Sequence, residues 1–388
     1  MSVGIDEISF YTSNYYLDLR TLAEVQNTDT EKYYQGIGQE KMGMAAPDED
    51  IVTMAANAAL PLVERVGSDS ISTLMFATET GIDQSKAAGV YVHRLLNLRD
   101  NCRVVEMKQA CYSATAAIQM ACALVARQPD SKVLVIASDI ARYDLDSPGE
   151  ATQGCGAVAL LITANPRLVE IHPEVGNYTE DVMDFWRPNY RSTALVDGKY
   201  STKIYLKSLK RAWENFREAS SLAFSDFSYF CYHLPFSRMA QKAHQQLAKL
   251  NKSGLSLEQL EQQIEDTLIY NRIIGNSYTA SMYIGLTSLL ENCRQNLAGR
   301  RIGFFSYGSG CVAEFFSGTV VAGYENWLHR DAHRQMLDAR KEVDYDEYLQ
   351  LYRYPDPRDG ESCEIERGTT GRFRLAAISH HKREYTVC

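Results

Sequence analysis

The sequence predicts an α/β protein built from two similar halves, and two observations point there. Short apolar runs alternate with helical patterns of ten or more residues, the pattern of a mainly parallel sheet covered on both faces. A short motif also recurs: Gly154-Cys155-Gly156-Ala157-Val158-Ala159 matches Gly308-Ser309-Gly310-Cys311-Val312-Ala313. Each copy lies between a strand and an apolar run, behind a helix of small residues. That shared order predicts pseudo-twin halves, residues 1–165 and 166–388. A chain of 388 residues can bury a large core or two related ones.

The elements follow in order. Residues 4–25 hold a short strand and then a helix over Leu17–Val25. The glycines of Thr28–Met44 are weak evidence for phosphate binding, because no strand–turn–helix surrounds them. Apolar residues recur helically from Ile51 to Val66, with Asp48 or Asp50 as cap. Ile71–Thr78 reads as a strand that delivers Glu79, and Ala87–Leu98 as a helix. Arg103–Met107 reads as a buried strand; Cys111 then opens the helix that runs to Arg127. Strands follow at Lys132–Ser138 and Gly154–Thr163. Residues 180–200 are aromatic and polar, a loop between the halves. Ser201–Ala219 is an amphipathic helix with Ile204, Leu209, Trp213 and Phe216 inward. Phe227–Tyr232 is a strand that delivers His233. Helices are expected at Arg238–Leu250, Leu257–Tyr270 and Thr279–Glu291, and strands at Arg301–Tyr307 and Val312–Val321. The charged C-terminal extension, 325–388, holds a turn cluster at 355–361 and a returning strand at Phe373–Ser379.

Composition narrows the function. A net charge of −9 argues against a general nucleic-acid binder. No apolar run reaches the roughly 18 residues of a membrane span. The N-terminal stretch MSVGIDEISF lacks the basic and apolar regions of a secretion signal, and nine scattered cysteines without CxxC spacing fit a reducing cytoplasm better than disulfides or a zinc cluster.

Three residue types could do chemistry together. Cys111 stands near a helix N-terminus, where the macrodipole favours a thiolate, and a thiolate exchanges acyl groups with thioesters. Glu79 becomes a usable base if burial raises its pKa. His233 can hydrogen-bond a carbonyl or shuttle a proton. Taken singly, each has a plainer reading: a buried small hydrophobe, a loop acid, a satisfied core histidine. Asn276 could be only a turn residue, and Ser309 only a tight turn whose N–H can also join an oxyanion hole.

The motifs decide among these readings. They include IGQEKMGM at 37–44, ATET at 77–80, EMKQACYSAT at 106–115, SDIARYDLDSPGEATQGCGAVA at 138–159 and YTEDVMDFWRP at 178–188. LVDGKYS at 195–201, YHLPFSRMAQKA at 232–243, YNRIIGNSYTAS at 270–281, RIGFFSYGSG at 301–310 and REY at 383–385 complete the set. In this order they resemble the bacterial 3-hydroxy-3-methylglutaryl-CoA synthases, members of the thiolase superfamily. The resemblance implies a thiolase-like fold with αβαβα layering, and a Claisen-type condensation of acetyl-CoA with acetoacetyl-CoA in a cytoplasmic homodimer of the mevalonate pathway. It implies no metal and no cofactor beyond the coenzyme A thioesters, which are substrates. It implies Cys111 as the acetylated nucleophile, Glu79 as the base and His233 as the group that orients the acetoacetyl moiety. The backbone N–H groups of Cys111 and Ser309 correspond to oxyanion donors. Asp29, Thr30, Thr152, Ser201 and Asn276 fall where the family contacts substrate, and Tyr143 and Phe185 where it lines the acyl pocket. Arg238 and Lys242, one helical turn apart, would meet the coenzyme A phosphates, although the family usually has Lys at the Arg238 position. The stripe Lys199, Lys203, Lys207 and Arg211 reads better as a solvated helix face.

Two relatives in mechanism stay open. A synthase that β-branches a carrier-bound acyl chain would use the same three residues. A decarboxylating ketoacyl synthase would use a Cys–His–Asn set and would not need Glu79. A non-catalytic thiolase-like scaffold is the reading outside enzymes.

Overall fold

The computed structural model describes residues 1–354 and 361–388. Nine strands form one mixed sheet: β1 (Val3–Tyr11), β2 (Ile71–Ala77), β3 (Arg103–Met107), β4 (Lys132–Ala141), β5 (Gly154–Ala164), β6 (Val169–Thr179), β7 (Tyr229–Tyr232), β8 (Arg301–Gly308) and β9 (Val312–Val320). The main helices are α1 (Ile51–Val66), α2 (Ala88–Leu95), α3 (Ser113–Arg127), α4 (Gly198–Ser220), α5 (Ser237–Leu250), α6 (Ser281–Asn292), α7 (Arg330–Asp338) and α8 (Tyr345–Arg353).

The sheet order is β7-β8-β9-β6-β1-β5-β4-β2-β3. Outward from the centre, β1-β5-β4-β2 repeats as β6-β9-β8-β7. In both runs the first two steps are antiparallel and the third is parallel. The runs meet where β1 pairs β6 at Gly4↔Glu170 and Ile5↔Val169. α3 and α6 occupy equivalent places, each leading into a parallel strand.

Packing explains the layers. Ala114, Ala117, Ile118, Ala121 and Val125 of α3 share one apolar cluster with α6, with β1, β4 and β5 of one run, and with Phe304 and Phe316 of the other. α6 is buried on all sides from Ser281 to Glu291, which an outer helix never is. α1 and α2 cover the far face of the first run, and α4 and α5 that of the second. With the two runs of the one sheet as its β layers and α3 and α6 between them, this is the expected αβαβα order. Asp50, the cap of α1, closes a capping box with Thr53.

Several expectations are corrected. β3 is an edge strand with no buried residue. The first helix starts at Leu19, because Tyr15–Asp18 pairs with Lys41–Met44. The region 257–270 breaks into Leu257–Gln262, a 3-10 turn and Ile269–Ile274. β6, α7, α8 and the strand Lys382–Val387 have no counterpart in the sequence reading. Phe373–Ser379 does return to the body, between Cys363–Glu364 and Lys382–Val387 and against the α1 cluster. The turn cluster at 355–361 lies outside the described residues except for its last position.

Candidate active site

Glu79 leaves the carboxyl edge of β2, where ligands bind in open α/β sheets. Asp139, on neighbouring β4 and fully buried, fixes it there. One Asp139 oxygen accepts the Thr78 hydroxyl at 2.7 Å and the Glu79 and Thr80 N–H groups at 2.9 and 3.0 Å. The other accepts the Thr279 N–H at 3.1 Å and the Thr279 hydroxyl, in the turn before α6. A single carboxylate therefore ties the two runs together behind Glu79.

Cys111 sits in a tight turn ahead of α3. Ala110 adopts φ +43°, the Gln109 N–H donates to the Ser113 hydroxyl at 2.6 Å, and that hydroxyl donates to the Ala110 carbonyl at 2.8 Å. The β8–β9 hairpin presses on this turn. A Cβ at Gly308 would stand 2.4 Å from the Gln109 carbonyl oxygen and 2.7 Å from the Tyr112 Cβ, so the close approach requires glycine. Across the gap, Gln109 Nε2 donates to the Ser309 carbonyl at 3.2 Å. The result is a Cys111 thiol 2.9 Å from Glu79 Oε1.

His233 extends β7: its N–H donates to the Phe305 carbonyl at 2.8 Å, and its own carbonyl accepts the Tyr205 hydroxyl at 2.8 Å. Ser281 at the start of α6 accepts the Leu234 N–H at 3.2 Å and stands 3.0 Å from His233 Nδ1. A hydroxyl that donates to Nδ1 leaves the ring proton on Nε2, a tautomer assigned from this network.

Cys111 and His233 line one cavity of about 330 Å³. Tyr143, Phe185 and Tyr278 form an edge-to-face aromatic trio in its wall, with centroids 5.7–6.5 Å apart. Thr152, Ser201, Asn276 and Ser309 line it as well. Asn276 Oδ1 is occupied by the Tyr278 N–H at 2.8 Å, so the amide offers the cavity its Nδ2 group. Five expected residues are not in the lining, and Glu79, held against the Cys111 thiol, is one of them. Arg238 stands beside it, between the lining residues Phe236 and Met239, with its N–H on the Ile37 carbonyl at 3.0 Å. Lys242 lies 5.8 Å from the centre of the Phe236 ring. Asp29 accepts the Glu31 N–H at 3.0 Å, and Thr30 begins that same turn.

Comparison with known proteins bears on this arrangement. The family models for the N-terminal and C-terminal parts of hydroxymethylglutaryl-coenzyme A synthase match residues 1–167 and residues 172–253 and 249–387. A hydroxymethylglutaryl-CoA synthase of Enterococcus faecalis is 43% identical over 353 residues, covering 91% of this chain and 92% of the relative. The chain belongs to the hydroxymethylglutaryl-CoA synthase family. A crystal structure of an HMG-CoA synthase complexed with CoA superposes with a TM-score of 0.95 at 39% identity, over 100% of both chains. A polyketide-biosynthesis 3-hydroxy-3-methylglutaryl-ACP synthase of Bacillus subtilis is 34% identical over 375 residues, 91% of this chain and 88% of that one. The fold is thus the thiolase-like fold of hydroxymethylglutaryl-CoA synthases.

Electrostatics give this synthase-family site its character. Burial, then the Asp139 charge, pushes the Glu79 pKa up to about 8, against the Cys111 hydrogen bond and the Arg187 guanidinium. Arg187 also donates to the Glu79 carbonyl. The Cys111 thiol is pushed well up, first by burial and then by the charge and hydrogen bond of Glu79, while its own backbone N–H opposes them. This corrects the expectation of a lowered thiol pKa. The α3 N-terminus is nearby, but desolvation and a carboxylate at 2.9 Å outweigh it. In direct contact, the two groups titrate as a unit. Burial drives the His233 pKa down to about 3, so the ring is neutral at ordinary pH.

Sequence reasoning missed Asp139, Arg187, Ser281 and Tyr205. Asp139 carried a signal: an acid directly after the apolar run of β4 stands at the same sheet edge as Glu79. Arg187 and Ser281 lie in the motifs YTEDVMDFWRP and YNRIIGNSYTAS, which marked the segments without singling out these residues, and Tyr205 carried no signal because its partner His233 is distant in sequence.

Proposed function

We propose that this chain condenses acetyl-CoA with acetoacetyl-CoA and water to 3-hydroxy-3-methylglutaryl-CoA and free coenzyme A, through an acetyl-Cys111 intermediate. The observation that carries this reading is the cavity shared by Cys111 and His233, with Glu79 2.9 Å from the thiol. Glu79 accepts the thiol proton as sulfur attacks the acetyl-CoA carbonyl, and the coenzyme A thiolate leaves and takes up that proton. Ionised again, Glu79 removes a methyl proton from acetyl-Cys111. The resulting carbanion attacks the ketone carbon of acetoacetyl-CoA, and the new alkoxide takes up the proton that Glu79 removed, which leaves Glu79 ionised again. Water then cleaves the thioester to Cys111 and releases the product. Neutral His233, protonated on Nε2, suits donation to the ketone oxygen during attack, as do the Cys111 and Ser309 N–H groups at the oxyanion on the acyl carbon.

The remaining roles follow from position. Tyr143 and Phe185 close the acyl end; Thr152, Ser201 and Asn276 offer polar contacts. Arg238 and Lys242, outside the lining, suit the phosphates of coenzyme A, and Asp29 and Thr30 are kept as substrate contacts on the family motif. The pseudo-twin halves, 1–165 and 166–388, each supply part of the site. β3 ends the sheet with an open edge, and Val105 and Met120 are exposed, which favours a homodimer joined along that edge. Among the described residues no helix is long and apolar enough to cross a membrane, in keeping with a cytoplasmic enzyme of the mevalonate pathway.

A second reading has specific support in the 34% identity to an ACP synthase: a carrier-bound acceptor in place of acetoacetyl-CoA. The deciding experiment offers acetoacetyl-CoA and carrier-bound acetoacetyl separately and measures turnover of each. Preference for the free thioester is expected. Turnover only on the carrier would replace the first reading with the second.

A further inference from the structure

The buried carboxylate of Glu314 takes no part in the mechanism above. It lies on β9, opposite Ser306 of β8, and is 3% exposed. Its oxygens accept the Tyr112 hydroxyl and the Gln119 side-chain amide, each at 2.7 Å. Burial is the main influence on the group and raises its pKa, opposed by those two hydrogen bonds. A buried carboxylate held by neutral donors costs stability. An apolar residue would fill the same place without that cost, so the position of Glu314 calls for another explanation.

Tyr112 and Gln119 are seven residues apart, two helical turns, and therefore share one face of α3. Tyr112 is also the neighbour of Cys111. A group that grips both fixes the rotation of α3 about its axis and the place of the turn in front of it. Gly308 and Ser309 of the same hairpin touch that turn at Gln109 and Tyr112. We infer that Glu314 is a positioning residue for the nucleophile: by holding Tyr112 and Gln119 together it sets the orientation of α3 that places Cys111 against Glu79. This rests on the acetyl-Cys111 reading. It adds that the alignment of the nucleophile is enforced from the opposite half of the molecule.

The test measures the rate and the final amount of acetyl incorporation from acetyl-CoA, by quenched intact-mass analysis. It uses wild type, Glu314→Ala, Glu314→Gln and Tyr112→Phe, with KM for acetoacetyl-CoA on each. In Glu314→Gln the Gln119 amide can turn over, so both hydrogen bonds survive without the charge. Glu314→Ala should acetylate about tenfold or more slowly per reactive chain, since small misplacements of a nucleophile are costly. Its KM for acetoacetyl-CoA should stay within about twofold, and Glu314→Gln should acetylate within about threefold of wild type. Tyr112→Phe, which loses one of the two grips, should fall between and decides the matter if Glu314→Ala does not fold. Acetylation of Glu314→Ala at the wild-type rate overturns the inference. So does a loss of reactive chains at unchanged rate, or failure of Glu314→Gln to restore the rate. Absence of acetyl-Cys111 in wild type would instead refute the reading beneath it.

Discussion

The two halves use equivalent places for different chemistry. β2 leads into Glu79 and its counterpart β7 into His233; α3 is preceded by Cys111 and its counterpart α6 by Asn276. Burial acts on both strand-end groups and moves their pKa values apart, because it disfavours whichever form is charged. Glu79 rises to about 8 and His233 falls to about 3. The first half thus holds a proton-exchanging pair poised near neutrality. The second presents neutral dipoles that do not titrate in the working range. A duplicated scaffold supplies the geometry twice, and local charge divides the labour between acid–base chemistry and orientation.

The largest test of this division is Cys111→Ser. A hydroxyl is a far weaker nucleophile than the thiol, so acetyl incorporation should vanish while the fold remains. Intact-mass analysis after incubation with acetyl-CoA checks it, and an acetyl group mapped to another cysteine would break the comparison. Glu79→Ala should separate the steps. Acetylation should slow, because the thiol loses the group that takes its proton, yet persist, because the charge and hydrogen bond that raise the thiol pKa go with it. Condensation should fall on the order of 10²–10⁴-fold, the contribution of one general base. Condensation near the wild-type rate would favour a decarboxylating mechanism.

The pH profile sharpens the contrast. Condensation should rise with pH along a limb near 8 that belongs to the Cys111–Glu79 pair, with no histidine limb near 6.5. A limb at 6.5 that disappears in His233→Gln would show that His233 titrates after all. Stability should carry the same signature. Glu79 loses its proton near 4.5 when unfolded and near 8 when folded, so its contribution is full below 4.5 and lost as pH rises through 8. His233 runs the other way: its contribution is present above 6.5 and lost as pH falls toward 3. Glu79→Gln should therefore gain a Tm of roughly 3 °C or more over wild type at pH 9 and little at pH 4. Thermal unfolding at the two pH values measures it, and an equal gain at both would refute the linkage. The smallest effect should come from Gly308→Ala. Its methyl group would intrude on Gln109 and Tyr112 and cost about 1–3 kcal/mol as a small-to-large change in a packed site. Denaturant titration would show it, and an unchanged midpoint would mean that the turn yields freely.

What the sequence left hidden follows a pattern. β6 escaped because Pro173 and Gly176 interrupt its apolar run. Gly176 is there for a non-local reason: a Cβ would stand 2.1 Å from the Ala212 carbonyl oxygen and 2.2 Å from the Phe216 nitrogen of α4. β3 looked buried because Val104 and Val105 are apolar, and only the strand order reveals it as an edge. Tyr348 and Tyr352 of α8 reach back to Glu150 and to the Tyr143 carbonyl, at 2.8 and 2.6 Å, so the C-terminal extension braces the segment that carries Tyr143 and Thr152. Nothing in the charged composition of that extension announces such contacts.

By itself the sequence determined the alternation of strands and helices, the duplicated glycine motif, and the thiol, carboxylate and imidazole set in its motifs. These are written in local periodicity and residue type, which adjacent positions suffice to specify. The tertiary structure alone decided that Glu79 and Cys111 stand 2.9 Å apart, that Asp139 ties the halves together, and that the thiol pKa is raised and not lowered. The physical reason is that a hydrogen bond, a close backbone approach or a desolvated charge depends on what lies within a few ångströms in space, and here those neighbours are tens to hundreds of residues away along the chain.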